Sequence, residues 1–531
     1  MTHKLALILV LVVVSVSPAF AQGGTGPDQG ELPLPVGGIV FNLQPEVIQA
    51  MQAAHMTWIS HWIGLNANTD LAAIRDFIDQ SHQAGFKVLL NVIGDVEQLA
   101  ALGEAYYPIF AASLEEIAAL SPDAIQVWRE MNLAGNWPQG QIDPAAYVAL
   151  LGMAYDAIKA VNPDILVITG ALKPTGSFGA TDCTDMGCND DVYAQQMAEA
   201  GAADFADCIG VMYIEGIVSP AQTSGDPRDD YATRYFPTMI ERAAAPFAGE
   251  DIPLCFTGLG YLSAEGYETT WPDYLAFARN TSVTQQAKWL RDAVLIARDD
   301  GRVALIIVQY IDNVSTNGDF SSGMAIIRAD GTCPACQAIG SLAHLPNPEP
   351  SASLTLDEEL TAAIDQVTPA AAFTVQPGDQ EHISVRVDPT DGSTLDPVLI
   401  IYDSAGNLIA FNDDISSSSL SARIDQLPGN QELKAVVYAF NEGSTGDFIL
   451  RVNSNESLTG SIVGNSNANI RSGPSTNASI VTTAAPGTEI QIRGRNADAS
   501  WLAITVDGVE GWIASFLVSS SDDVSGLPVL E

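Results

Sequence analysis

Positive charge is what this chain has least of. Its 531 residues carry 22 Lys and Arg against 64 Asp and Glu, a formal net charge of −42. Nucleic acid and anionic membrane surfaces are recognised through basic patches, so neither is an expected partner. Histidine is as sparse: six scattered residues, none at metal-ligand spacing. No metal and no cofactor are expected. Long apolar runs are missing beyond the N-terminal segment, and that one is short. Lys4 precedes the apolar stretch Leu5 to Val16, and Ala19-Phe20-Ala21 forms a small-x-small site before Gln22. A membrane span needs about 20 apolar residues, so the segment 1–21 reads as a cleaved secretory signal rather than an anchor. The expectation is an exported, extracellular protein with no membrane span.

Cysteine is also scarce, with six residues. Cys183 and Cys188 lie in a polar Thr/Asp/Gly loop and are expected to form a disulfide in an exported protein. Cys333-Pro334-Ala335-Cys336 is a C-x-x-C without a thioredoxin-like context, so a structural disulfide is the better reading. Cys208 and Cys255 sit in apolar strands, where a buried pair and two free thiols are equally acceptable.

What the chain does have is length for two or three domains and a long alternation of strands and helices. A Gly/Pro-rich leader, 22–36, comes first. Short β-branched runs then occur at Gly38–Asn42, Trp58–Leu65, Lys87–Ile93, Ile125–Glu130, Ile165–Gly170, Cys208–Tyr213, Leu254–Thr257 and Val303–Tyr310. Near-continuous apolar strands are what a parallel sheet buried on both faces requires. Helical patterns separate them: Thr69-Asp70 can cap one that runs to Ala84, and Pro144 opens another that Asn162-Pro163 closes. Eight such units over about 310 residues predict a (β/α)8 barrel across 37–345. Long loops after the fourth to eighth predicted strands build up one rim, the expected place for a site.

The run Val127-Trp128-Arg129-Glu130-Met131-Asn132 ends the fourth unit. With Ile158 to Asp164 and Val167-Ile168-Thr169-Gly170-Ala171, it resembles the clan A glycoside hydrolases, cellulase-like and xylosidase-like (β/α)8 enzymes. That resemblance implies a secreted protein acting on polysaccharide, with Glu130 as general acid/base. It also implies a nucleophilic Glu on the seventh strand, within about 5 Å of the acid in a retaining enzyme. The strand instead reads Phe256-Thr257-Gly258-Leu259-Gly260-Tyr261, so Gly258 stands where the nucleophile should be. Arg129 replaces an Asn, Met131 a Pro, Met212 a His, and Gln309 an aromatic. Catalysis is therefore expected to be impaired, and a non-catalytic carbohydrate- or cell-wall-binding protein is the alternative. Glu215 is the first choice of substitute base, followed by Asp95, Glu265 and Asp312. Trp128, Asn132, Trp137, Tyr213, Tyr261 and Gln309 are the candidate substrate contacts, with Trp271 a further aromatic; core packing competes for each aromatic ring.

The remainder changes period. A Pro/Asn/Glu/Ser-rich linker, 346–355, precedes short alternating strands. Residues 356–453 resemble the bacterial pre-peptidase C-terminal domain, a β-sandwich. There Asn412-Asp413-Asp414 reads first as a turn and second as a calcium site. Asn469-Ile470-Arg471-Ser472-Gly473-Pro474 and Gly511-Trp512-Ile513, within 458–519, resemble the bacterial SH3-like domain, a small barrel. That likeness implies a cell-wall peptide or surface protein as partner. Trp501 and Trp512 either line its groove or pack its core. A disordered tail, 520–531, is expected.

Overall fold

The structure, a computed structural model, describes residues 32–519 and Leu527, apart from 67, 180, 224, 230, 268–272, 313–319, 379, 381, 414–419, 441–443, 455–457, 464–466, 477, 497–498 and 507–508. The expected signal segment, most of the leader, nearly all of the tail, Trp271 and Asp414 lie outside the described residues.

Eight parallel strands form the first unit: β1 (Val36–Ile39), β2 (Trp58–Gly64), β3 (Lys87–Ile93), β4 (Ala124–Val127), β5 (Leu166–Thr169), β6 (Ile209–Gly216), β7 (Leu254–Tyr261) and β8 (Val303–Val308). They are hydrogen-bonded in the order β5-β4-β3-β2-β1-β8-β7-β6. A parallel bridge, Ile168 to Cys208, closes the ring between β5 and β6, and the Gly210 N–H donates to Thr169 Oγ1 at 2.8 Å. The fold is a (β/α)8 barrel. Along β8 the side chains alternate: Leu305 and Ile307 fill the barrel interior with Ile39, Leu89 and Ile168, whereas Ile306 and Val308 join the layer under the helices. This two-sided burial is why its strands are apolar without interruption.

The helices α1 (Pro45–Ala53), α2 (Leu71–Gln83), α3 (Val96–Leu102), α4 (Tyr107–Ala118), α5 (Pro144–Val161), α6 (Asp190–Glu199), α7 (Phe236–Ala244) and α8 (Val283–Asp300) cover the outside. Their ends follow local chemistry. Asp70 accepts from the N–H groups of Ala72 and Ala73 to cap α2, and Asp143 caps α5, which opens on Pro144 and stops at Asn162. Ser282 and Gln285 form a reciprocal capping box at α8. Among the described residues, no helix is long and apolar enough to cross a membrane.

All six cysteines pair: Cys183 with Cys188, Cys208 with Cys255, and Cys333 with Cys336. The second bridge joins β7 to the residue before β6 inside the barrel.

A sheet of four strands and a sheet of five follow, sharing an apolar core that includes Phe373, Val385, Leu399 and Phe448. The strand Ala352–Thr355 belongs to the five-stranded sheet and pairs in parallel with Ala370–Gln376. The end of the stretch expected to be linker is thus part of the sandwich. Leu354 fills its core, which gives that segment a reason to order. A seven-stranded sheet from Leu458 to Ser519 makes the last unit around Ile470, Ile492, Ile504 and Ile513. In it Trp512 is buried and Trp501 half-buried.

Candidate functional site

The C-terminal mouth of the barrel is a small cleft of about 220 Å³, counting its open side. Ile39, Trp62, Asn91, Gln126, Arg129, Ala171, Met212, Thr257 and Gln309 line it. Ile39 and Gln126 stand at or next to strand ends, Arg129, Ala171 and Gln309 just beyond them, and Trp62, Asn91, Met212 and Thr257 within their strands, where the period-2 alternation turns them inward. Gln126 Nε2 donates to Thr257 Oγ1 at 2.9 Å and ties β4 to β7 across the interior. Asn91 donates to Ser60 Oγ. The carbonyl oxygens of Asn91 and Gln309 are buried with no hydrogen-bond partner.

Glu130 is not on the strand expected for it. β4 ends at Val127, and both Trp128 and Glu130 take left-handed backbone, with φ of 71° and 49°. Two backbone hydrogen bonds hold this path, from Trp128 N–H to Val92 O and from Glu130 N–H to Ala171 O, each 2.8 Å. Trp128 is fully buried against Phe110 and Trp137, and its indole N–H donates to Asn136 O at 2.7 Å. That packing forces the kink. As a result Arg129, not Glu130, lines the cleft; its guanidinium lies 4.0 Å from the centre of the Trp62 ring. The half-buried Glu130 carboxylate accepts from Asn136 Nδ2 at 2.9 Å.

Gly258 does face the cleft. A β-bulge leaves Thr257 unpaired, with Val211 opposite Phe256 and Met212 opposite Gly258. A Cβ built on Gly258 would lie 2.5 Å from Gln309 Oε1 and 3.5 Å from Met212 Cγ. The first obstacle is the end of a flexible side chain, and Gly258 has no positive φ, so a Cβ fits once Gln309 moves.

Several expected contacts belong elsewhere. Asn132 is fully buried: its Nδ2 donates to the carbonyls of Lys173 and Cys188, and its Oδ1 accepts from Lys173 N–H. It pins the loop after β5 and cannot touch substrate. Trp128, Trp137, Tyr213 and Tyr261 are core residues. Trp137 donates to Gln141 O and Tyr213 to Arg234 O, each at 2.8 Å. Burial pushes the hydroxyl pKa values of Tyr213 and Tyr261 up. Of the six expected contacts, Gln309 alone lines the cleft.

The substitute acids are also engaged. Glu215 is ion-paired to Arg234. Asp95 caps α3 through Gln98 and Glu97, and those hydrogen bonds hold its carboxyl below the usual range. Glu265 accepts from Val283 N–H at 2.6 Å. Asp312 accepts from the N–H groups of Phe41 and Asn42 at 2.7 and 2.8 Å; burial raises its pKa against those bonds. Asp413, the second residue of the calcium reading, is ion-paired to Lys288 and Arg291. Among the described residues, no group of three or more His, Cys, Asp or Glu could hold a metal ion.

The bacterial SH3 domain family matches residues 466–519. No curated protein matches the sequence. Among solved structures, the chain is similar to the GH53 catalytic domain from Ignisphaera aggregans, at 15% identity over 60% of this chain and 92% of that one, with a TM-score of 0.40. It is similar to a glucosidase from Croceicoccus marinus at 12% identity over 80% and 96%, TM-score 0.41. The pre-peptidase C-terminal domain of a collagenase from Bacillus anthracis matches over 20% of this chain and all of that one, at 13% identity and a TM-score of 0.17.

Trp62, Asn91, Gln126, Arg129 and Thr257 were absent from the expected contacts. The signal for three of them was present: Asn91, Gln126 and Thr257 are polar residues interrupting apolar strands. In a buried parallel sheet such an interruption needs a partner or a ligand.

Proposed function

We propose that this protein binds carbohydrate in a glycoside hydrolase-type barrel without cleaving it. One observation carries the reading: among the described residues, no carboxylate lines the cleft. Glycoside hydrolysis takes two carboxyl groups on either side of the scissile bond, one to protonate and one to attack or activate water. Glu130 is bonded to Asn136 and is not among the lining residues, Gly258 has no side chain, and Glu215, Asp95, Glu265 and Asp312 serve as ion-pair partner or hydrogen-bond acceptors. The cleft does offer amides, a hydroxyl and an aromatic ring on a rigid scaffold, which suits sugar binding. The SH3-like unit supports docking to a cell-wall peptide or surface protein, and three disulfides suit an extracellular setting.

Hydrolysis of aryl β-glycosides tests the reading. The unmodified chain should show no turnover above background, with or without azide or formate. Gly258→Glu should fold, because the only close contact of its Cβ is the flexible end of Gln309, and should also stay inactive while Glu130 remains on Asn136. Unaided turnover by the unmodified chain would overturn the non-catalytic reading. Activity restored by azide or by Gly258→Glu would leave an enzyme that lacks only its nucleophile.

A further inference from the structure

We infer that the cleft selects a sugar that carries a carboxylate, a uronic-acid unit, with Arg129 as its anchor. The inference rests on the carbohydrate-binding reading above and narrows its ligand.

In a chain with a net charge of −42, the only charged side chain among the described residues lining the cleft is cationic. Among the described residues Arg129 has no carboxylate partner, whereas Arg228, Arg234, Arg242, Arg291, Arg298 and Arg302 each pair with one. Its guanidinium is held instead over Trp62. A cation–π contact of that kind uses the guanidinium's charge and not its N–H donors, and the donor fork matches the two oxygens of a carboxylate. Gly258, whose Cβ position faces Gln309 and Met212, offers no carboxylate to this mouth. A ligand carboxylate can take that role without competing with a side chain.

A second observation points to the rest of the sugar. Asn91 and Gln309 are 4% and 3% exposed, and each leaves a carbonyl oxygen unpartnered in the same cleft. An unmet buried acceptor is costly, and a sugar hydroxyl supplies the missing donor. One ligand then satisfies three groups: carboxylate on Arg129, hydroxyls on Asn91 and Gln309. The acidic surface does not prevent this. Charges beyond about 8 Å are largely screened at physiological ionic strength, while the contact with Arg129 is not.

Calorimetric titration of the full chain with an oligoglucuronate, an oligogalacturonate and the carboxyl-reduced form of each decides it. At least one uronate should bind about tenfold or more tightly than its reduced form, a clear discrimination. Arg129→Gln should abolish the preference of acid over reduced form, and Arg129→Lys should keep part of it, since a point charge lacks the fork. Equal binding of acid and reduced forms overturns the inference and leaves carbohydrate binding standing. Binding of neither overturns both. The comparison of the two forms on the unmodified chain holds whether or not a variant folds.

Discussion

Asn132 was a candidate substrate contact, and its neighbourhood gives it a different task. Its amide closes three hydrogen bonds between the segment after β4 and the loops after β5. Asn132→Ala leaves one N–H and two carbonyls without their partner, and the first of these at least is part-buried. The expected cost is about 2–3 kcal/mol from the desolvated groups. Denaturant unfolding measures it, and ligand affinity should move only in proportion to the folded fraction. An unchanged midpoint would mean that these three hydrogen bonds do not hold the loops. At this scale the sequence was legible in kind but not in address. Gln309 lines the cleft and Gly258 faces it, whereas Glu130 is bonded to Asn136 and Trp128, Trp137, Tyr213 and Tyr261 lie in the layer beneath. A one-residue difference in where a strand stops sends an aromatic ring to the core or to the mouth.

The strand end after β4 is where that difference arises. Eight strands, their order along the chain and the caps of α2 and α5 follow from apolar runs and capping residues, all local signals. The left-handed steps at Trp128 and Glu130 have no local signal, because neither residue favours positive φ. Tertiary packing of Trp128 imposes them. Such a step costs a non-glycine residue about 1–2 kcal/mol. Glu130→Gly should therefore hold or raise thermal stability, the released strain offsetting the lost hydrogen bond to Asn136. Glu130→Val should lower it by about 1–2 kcal/mol, since a β-branched residue fits the left-handed region worst. Thermal melts of the two variants check the order. If valine is tolerated as well as glycine, the backbone at Glu130 is not strained and its side chain is free to reach the cleft.

The whole molecule contains a contact that no single stretch of sequence announces. α8 of the barrel meets the sandwich through Arg291 and Lys288, which both pair with Asp413 at the end of the strand Leu408–Asn412. Arg291 also pairs with its neighbour Asp292 and lies against the rings of Phe411 and Phe440, 5.0 and 4.7 Å from their centres. Its side chain is 3% exposed. Asn412-Asp413 reads as a turn in one dimension because its partners are more than a hundred residues upstream, on a helix that looks complete by itself. Removing one member of a buried pair strands the other, so Asp413→Ala should cost about 3–5 kcal/mol. It should also split unfolding into separate barrel and sandwich transitions in calorimetry.

The same cluster sets a pH dependence. Burial pushes the Asp292 carboxyl up from 3.8 to about 7, with Arg291 and Lys288 opposing and Asp413 adding to the rise. Tyr438 and Tyr261 also face it. Burial also acts on Asp413, but Arg291 and Lys288 outweigh it and hold that carboxyl below its ordinary value. Asp292 thus keeps a proton in the folded molecule that it loses when unfolded. Its contribution to stability is fully present at acid pH and declines as pH rises between its two values, by at most on the order of 1 kcal/mol per pH unit. Asp413 has the opposite sign: its contribution is present above its unfolded pKa and lost as pH falls below the usual carboxylate range. Docking should therefore be strongest in mildly acidic solution, where Asp413 is ionised and Asp292 still protonated. Melting temperatures from pH 5 to 8 test this against Asp292→Asn, which cannot ionise. The unmodified chain should lose stability relative to the variant as pH rises through this range. Parallel curves would mean that Asp292 is ionised throughout, and that Arg291 holds two carboxylates rather than one.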